Sequence, residues 1–140
     1  MKVRLGNFAI LIGVALSVAV GSVQASMKEG LSLWEQGNQT DAVAVWEPLA
    51  QAGDPEAALF LGFAYRTGRG VEQNPDKAFH WYRKAAELGM PEAQIELSLM
   101  YELGLGTEPD PAEAASWYSL ATREDFCPSD LPAGGRLGHK

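Results

Sequence analysis

The chain contains an internal repeat with a period of 36 residues. Tyr65 recurs as Tyr101, and the pair Trp81-Tyr82 recurs as Trp117-Tyr118. Of the 36 positions in residues 54–89, 13 are occupied by the same residue type 36 places on, mostly alanines, aromatics, prolines and glycines. Because those types determine turns and close packing, the period predicts a structure built by stacking copies of one unit.

Each copy has the pattern of two helices joined by a glycine-containing loop. Asp54 is a suitable N-cap for the first helix and Asn74 for the second, and each precedes a proline. In the second copy Asp110 has Glu113 three residues later, the spacing of a capping box. Gly89 stands where a left-handed residue ends the second helix. We therefore predict a helical hairpin for each copy.

The residues predicted to build the repeat share a role in packing or turning, and the tryptophans and tyrosines at 81, 82, 117 and 118 are predicted to be core residues. In the first copy they are Ala57, Leu61, Gly62, Tyr65, Gly68, Gly70, Ala78, Trp81, Tyr82, Ala85 and Gly89; in the second they are Ala93, Leu97, Tyr101, Gly104, Gly106, Ala114, Trp117, Tyr118 and Ala121.

A degenerate third copy precedes these two. Trp34 and Gly37 have the spacing of Tyr65 and Gly68, and Ala42 and Ala50 lie 36 residues before Ala78 and Ala86. The predicted fold class is therefore all-α, an α/α solenoid of three antiparallel helix pairs, at residues 26–53, 54–89 and 90–125. Two chain ends flank this predicted repeat domain of residues 26–125.

Residues 1–25 have the pattern of a secretory signal peptide. Lys2 and Arg4 precede an apolar run over residues 8–20, which is shorter than the roughly 20 residues that span a bilayer, and small residues end the segment at Ala25. Cleavage there predicts an exported, periplasmic protein without a stable membrane anchor. Secretion and an uncleaved N-terminal anchor are the alternatives.

The charge of the chain disfavours two classes of partner. Removing residues 1–25, which hold two basic residues and no acidic one, changes the formal net charge from −7 to −9. An acidic surface repels phosphate groups, so we expect neither nucleic acid nor anionic membranes as partners.

Residues 126–140 are predicted to be a flexible tail rather than a capping helix, since Pro128, Pro132 and three glycines interrupt them. Their Cys127 is the only cysteine of the chain, so it is either an unpaired tail residue or a site of pairing between chains. The outer face of the last helix pair then stays open unless Phe126 and Leu131 fold over it, and an open face favours self-association.

No catalytic, metal-binding or cofactor-binding residues are predicted. Gly68-Arg69-Gly70 follows a predicted helix and recurs 36 residues later, as a structural turn does, whereas a phosphate-binding loop follows a strand. His80 and His139 have no His, Cys or acidic neighbour at ligand spacing. The protein is therefore predicted not to be an enzyme.

The repeat resembles the Sel-one-like repeat family, relatives of the tetratricopeptide repeat. The family pattern Ala-x-x-x-Leu-Gly-x-x-Tyr-x-x-Gly-x-Gly-Val is present at residues 57–71, and Ala-x-x-Trp-Tyr-x-x-Ala-Ala is present at residues 78–86. The second copy departs from it at Ser98, Thr107 and Thr122. The resemblance implies a tetratricopeptide-like superhelix that acts as an adaptor or regulator between proteins, in exported bacterial members within the cell envelope.

Two alternatives follow from the same resemblance. Some secreted relatives are linked to penicillin binding and β-lactam hydrolysis, which suggests an envelope hydrolase acting on β-lactams or peptidoglycan. This chain has neither their paired cysteines nor a Ser-x-x-Lys motif. The other alternative is a small structural subunit of a larger envelope assembly.

The positions at which the two copies differ are the candidates for partner binding. First helices line the concave side in this architecture, and one row on them holds Phe60, Phe63 and Arg66 in the first copy and Glu96, Leu99 and Glu102 in the second. We predict that this row binds a protein partner, with the phenylalanines as anchors and the charges as orienting groups. Packing of both phenylalanines within the helix pair is the alternative interpretation.

Overall fold

Helices form all the regular secondary structure in residues 26–123, the part of the chain that the computed structural model describes. The predictions for residues 1–25 and for residues 124–140 lie outside that part. The helices are α1 (residues 26–35), α2 (Gln39–Gln51), α3 (Pro55–Thr67), α4 (Pro75–Glu87), α5 (Pro91–Leu103) and α6 (Pro111–Ala121). None of these helices has the length and apolar character needed to cross a bilayer.

The helices pack in the order in which they follow one another. Extensive contacts join α2 to α3, α3 to α4, α4 to α5 and α5 to α6. Extensive contacts between helices that are neighbours along the chain are typical of a solenoid, in which each unit stabilises the next. The predicted all-α solenoid of helix pairs is confirmed.

Side-chain caps begin three of the helices at the predicted residues. Oδ1 of Asp54 accepts a hydrogen bond from the Ala57 backbone N–H (2.9 Å), and Oδ1 of Asn74 accepts one from Lys77 (3.0 Å). Asp110 caps α6 by accepting from the backbone N–H groups of residues 112 and 113. These bonds satisfy donors that the helices leave unpaired at their first turns.

The capping box predicted at Asp110 and Glu113 is wrong. It requires the Glu113 carboxylate to accept from the Asp110 backbone N–H, but that N–H donates to the Tyr101 carbonyl oxygen at 2.9 Å. The loop between α5 and α6 therefore closes onto the end of α5, and the Asp110 N–H is not available to the buried Glu113, whose Oε2 has no hydrogen-bond partner.

The core consists of alanines that face large aromatic rings. Trp46, Tyr82 and Trp117 are among the largest fully buried side chains, and each lies on the second helix of its pair. Because alanine lets helix backbones approach closely, the rings fill the remaining space between them. The alanines with no exposed surface are Ala42, Ala50, Ala57, Ala58, Ala64, Ala78, Ala85, Ala86 and Ala93.

The glycine loops are structural turns, as predicted. Gly68 and Gly104 end α3 and α5 in the left-handed conformation, with φ of 69° and 66°. A Cβ atom on Gly70 would collide with the backbone of α2 at Gln39, and one on Gly106 would collide with the backbone of α4 at Pro75. The loop between α3 and α4 therefore packs on the start of α2, and the loop between α5 and α6 packs on the start of α4.

Tyr118 is not the core residue that the repeat predicts. It is 56% exposed, whereas its counterpart Tyr82 is 1% exposed. A Cβ on Gly62 of α3 would lie 2.7 Å from the Tyr82 ring, so the ring reaches its buried position only because glycine lacks that atom. The second copy has Ser98 in place of Gly62, and no helix of the described chain follows to cover Tyr118.

Candidate functional site

An open groove lies along the first helices of the three pairs. Its volume is about 290 Å³, and we call it the first-helix groove. Helix α3 forms its centre, α1 and α5 flank it, and the phenol ring on α4 closes its base. The lining residues are Trp34, Leu59, Phe60, Phe63, Tyr82, Glu92 and Glu96.

Aromatic stacking holds the floor of the first-helix groove in place. Phe60 stacks on Trp46 of α2, with ring centroids 4.8 Å apart and planes inclined by 17°. Phe63 meets the Trp34 ring edge-on at 6.0 Å. Both phenylalanines are half-buried, so each packs against the preceding helix pair and also faces the groove. Their aromatic neighbours lie on α1 and α2, in the preceding pair, rather than within the α3–α4 pair as the packing interpretation predicts, and partner binding stays a prediction.

Arg66 joins α3 to its neighbours beside this groove. Its Nη2 lies 3.5 Å from Oε1 of Glu96 on α5, and its Nε donates to the Tyr82 hydroxyl at 3.3 Å. The guanidinium also lies 5.6 Å from the centre of the Phe63 ring. Arg66 thus connects three helices, which is a structural role in addition to the orienting role predicted for it.

Tyr82 stays protonated over a wide pH range. Burial raises the pKa of its phenol to about 12, and the Glu96 carboxylate acts in the same direction because a second negative charge nearby is unfavourable. A neutral hydroxyl that accepts from Arg66 lets the base of the groove remain buried without an unpaired charge.

Five of the six residues of the predicted partner-binding row are divided between two grooves, and the sixth, Arg66, lines neither of them. Phe60, Phe63 and Glu96 line the first-helix groove, whereas Leu99 and Glu102 line a second groove between α5 and α6. We call the second one the end groove, and its volume is about 410 Å³. Its lining residues are Ile95, Ser98, Leu99, Glu102, Pro111, Ala114, Ala115 and Tyr118.

Sequence reasoning missed Trp34 and Leu59 as groove residues. The spacing match of Trp34 with Tyr65 predicts only a packing role, but the Trp34 ring also lies against Phe63 and lines the groove. Leu59 was not predicted because the proposed row takes every third residue of α3, beginning at Phe60, and Leu59 falls outside that row. A signal was present for Leu59, since the second copy also has an aliphatic residue, Ile95, at that position.

The described residues show no arrangement for metal chemistry. Between residues 26 and 123, no group of three or more His, Cys, Asp or Glu side chains could hold a metal ion. His80 is exposed, and its ring lies edge-on to the neighbouring Trp81 ring at 5.1 Å. The two grooves are lined mainly by apolar side chains, which suit the binding of apolar groups.

Comparisons with known proteins agree with this architecture. The chain is similar to a Sel1 repeat protein from Oxalobacter formigenes, with 35% identity and a TM-score of 0.64 over 68% of this chain. It is also similar to c5321, a protective antigen present in uropathogenic Escherichia coli strains that displays an SLR fold, with 32% identity and a TM-score of 0.71 over 79% of this chain. The chain spans 39% and 24% of the lengths of those two proteins. A search of curated proteins gives no significant match.

The sequence pattern of the Sel1 repeat matches residues 55–90 and 91–126. Proteins with this repeat typically mediate protein–protein interaction and are in general non-catalytic scaffolds. Because the two matched segments cover more than half of the 140 residues, the chain belongs to the Sel1 repeat family.

Proposed function

We propose that this protein is a non-catalytic adaptor or regulator that binds a protein partner in the first-helix groove. The observation that supports this proposal is the row of half-buried aromatic side chains along an open groove between three helices. Large rings that are held rigidly and remain accessible lose little conformational entropy when a partner covers them.

The chemistry of the groove defines the class of partner. Leu59, Phe60 and Phe63 favour an apolar anchor, and the exposed Glu92 favours a basic residue next to it. Glu96 is already paired with Arg66, so Glu92 is the carboxylate available to a ligand. The expected ligand is a peptide segment or helix with one bulky apolar side chain beside a lysine or arginine.

Site-specific photocrosslinking in cells tests this proposal. A photoreactive amino acid at position 92, on the rim of the groove, should give a discrete crosslinked species identifiable by mass spectrometry. The matched control places it at Arg69, which is exposed in the loop after α3. Loss of the adduct in a Phe60→Ala variant that remains folded would support the groove. Equal adducts from positions 92 and 69 would argue against it.

We also propose that the protein acts in the bacterial cell envelope, most specifically in the periplasm. The support is the signal-peptide pattern of residues 1–25 in the sequence. Intact-mass measurement of the protein recovered from a periplasmic extract should give a chain that begins at Ser26. Recovery of the uncleaved chain from the cytoplasm would contradict the proposal.

A further inference from the structure

The end groove is the counterpart, one repeat later, of a surface on α3 and α4 that α5 covers in part. In the first copy, the equivalent surface of α3 and α4 contains Gly62, Arg66, Ala78 and Tyr82; Arg66 pairs with Glu96 of α5, and Ala78 and Tyr82 are fully buried. Their equivalents on α5 and α6 line the end groove, where Tyr118 is 56% exposed. The same kind of surface thus occurs twice, once with a helix on it and once open.

Helix α5 shows how such a surface holds a helix. Gln94 donates from Nε2 to the Ala86 carbonyl oxygen of α4 at 3.1 Å, and the Tyr101 ring lies edge-on to Phe79 at 5.2 Å. The Glu96 carboxylate pairs with Arg66 of α3 at 3.5 Å. One hydrogen bond, one aromatic contact and one ion pair therefore accompany the packing of this helix.

Two substitutions between the copies change what the end groove would accept. Glu102 replaces Arg66, so the charge that meets the incoming helix is inverted. Ala115 replaces Phe79, so the ring that contacts Tyr101 is missing and space opens in its place. A helix that fits the end groove therefore has a basic residue at the position equivalent to Glu96 of α5. Five positions later, at the position equivalent to Tyr101, it has a bulky apolar residue.

We propose that the end groove binds an amphipathic helix of a partner protein with those two features. This binding surface is separate from the first-helix groove. Charge complementarity to Glu102, the only groove-lining side chain that is charged at neutral pH, selects the basic residue. Exposed apolar side chains at Ile95, Leu99 and Tyr118 provide the area that the helix buries.

Charge also argues against a second copy of the chain as occupant. After α1, the Asn38 N–H donates to the Leu33 carbonyl oxygen; after α3, the Arg69 N–H donates to the Ala64 carbonyl oxygen in the same way. This correspondence aligns each residue of α1 with the residue 31 positions later in α3. In that register, α1 of a second copy would bring Glu29 to Glu102, and like charges repel. Residues 124–140 are not predicted from sequence to supply a helix, because Pro128 and Pro132 interrupt them.

A designed peptide tests the charge rule directly. The probe is residues 90–104 of this chain with Glu96→Arg, labelled with a fluorophore and held helical by a staple between positions 95 and 99. Those two positions line the end groove and therefore lie away from the side of α5 that packs on α3 and α4. The matched control peptide retains Glu96. Fluorescence anisotropy with the full chain measures both affinities.

We expect the arginine peptide to bind about tenfold more tightly than the glutamate peptide, as one partly buried ion pair can supply. In a Glu102→Arg variant, the preference should reverse. A Glu92→Lys variant, altered only in the first-helix groove, should leave both affinities unchanged, so that failure of this proposal is distinguishable from failure of the proposed function.

Four outcomes would overturn the proposal. The first is that neither peptide binds, and the second is that the preference survives Glu102→Arg. The third is that Phe126→Ser with Leu131→Ser raises the affinity more than tenfold, which would make the chain's own C-terminal segment the occupant. The fourth is a dimer in sedimentation velocity whose dissociation constant changes in Glu102→Arg, which would make a second copy the occupant.

Discussion

The two copies of the repeat share the residues that form their helices but differ in how deeply those residues are buried. Trp81-Tyr82 and Trp117-Tyr118 occupy equivalent positions, and the two tryptophans are buried to a similar degree. The tyrosines diverge, because Tyr82 has Gly62 beneath it and α5 beyond it, whereas Tyr118 has Ser98 and an open groove. Identity of sequence thus determines local structure, while burial depends on the neighbouring unit.

The largest expected effect separates the two tyrosines. Tyr82→Ala should lower the free energy of unfolding by about 3–5 kcal/mol, because it leaves a cavity in the core. Tyr118→Ala should change it by less than about 1 kcal/mol, because a half-exposed ring makes few buried contacts. Urea denaturation followed by circular dichroism measures both. Equal losses would show that the two copies are equivalent after all.

A smaller effect is expected from the glycine beneath the ring. Gly62→Ala should lower the free energy of unfolding by about 1–3 kcal/mol, because the new Cβ displaces the Tyr82 ring. Ser98→Gly is the matched change in the second copy and should cost under about 1 kcal/mol, mainly through helix propensity. If Gly62→Ala were neutral or stabilising, steric exclusion would not explain why Tyr118 is exposed.

Alkaline pH should weaken the fold through Tyr82. Because burial raises its pKa in the folded state to about 12, against about 10 when unfolded, the phenol ionises first in the unfolded chain. The stabilisation is complete below pH 10 and is lost as pH rises from 10 to 12; at pH 11 the loss is about 1.4 kcal/mol. Melting temperatures from pH 9 to pH 11.5 should show a smaller decline in Tyr82→Phe, and identical slopes would contradict this assignment.

The smallest effect concerns the charge that differs between the copies. Arg66→Glu should cost about 0.5–1 kcal/mol, since the pair with Glu96 is partly exposed. Adding Glu96→Arg should recover part of that loss by restoring opposite charges. A thermal double-mutant cycle measures the coupling, and a coupling of zero would remove the ion pair as a reason for the charge rule at the end groove.

Local features of this chain could be predicted from the sequence because they depend on residues close together in it. The caps at Asp54 and Asn74 and the left-handed turns at Gly68 and Gly104 require only three or four neighbouring residues. The helix pairs follow from the same signals and from the spacing of alanines. The period of 36 then orders those pairs into a solenoid.

Features that depend on the neighbouring helix could not be predicted in the same way. The capping box failed because the Asp110 N–H donates across the loop to Tyr101, a contact that spacing alone does not reveal. The predicted partner-binding row divided between two grooves because α5 lines both of them, one on each of its sides. Residues that the sequence pattern places in one continuous row therefore line two separate grooves once the helices are stacked.

The close approach of Gly70 to α2 and of Gly106 to α4 also limits how the solenoid can deform. Each loop touches the backbone of the preceding pair where no side chain could be inserted, so a motion that brings adjacent units closer there would force backbone into backbone. We therefore expect the first-helix groove to narrow little when a partner binds, so that most of the conformational adjustment on association falls on the partner's side.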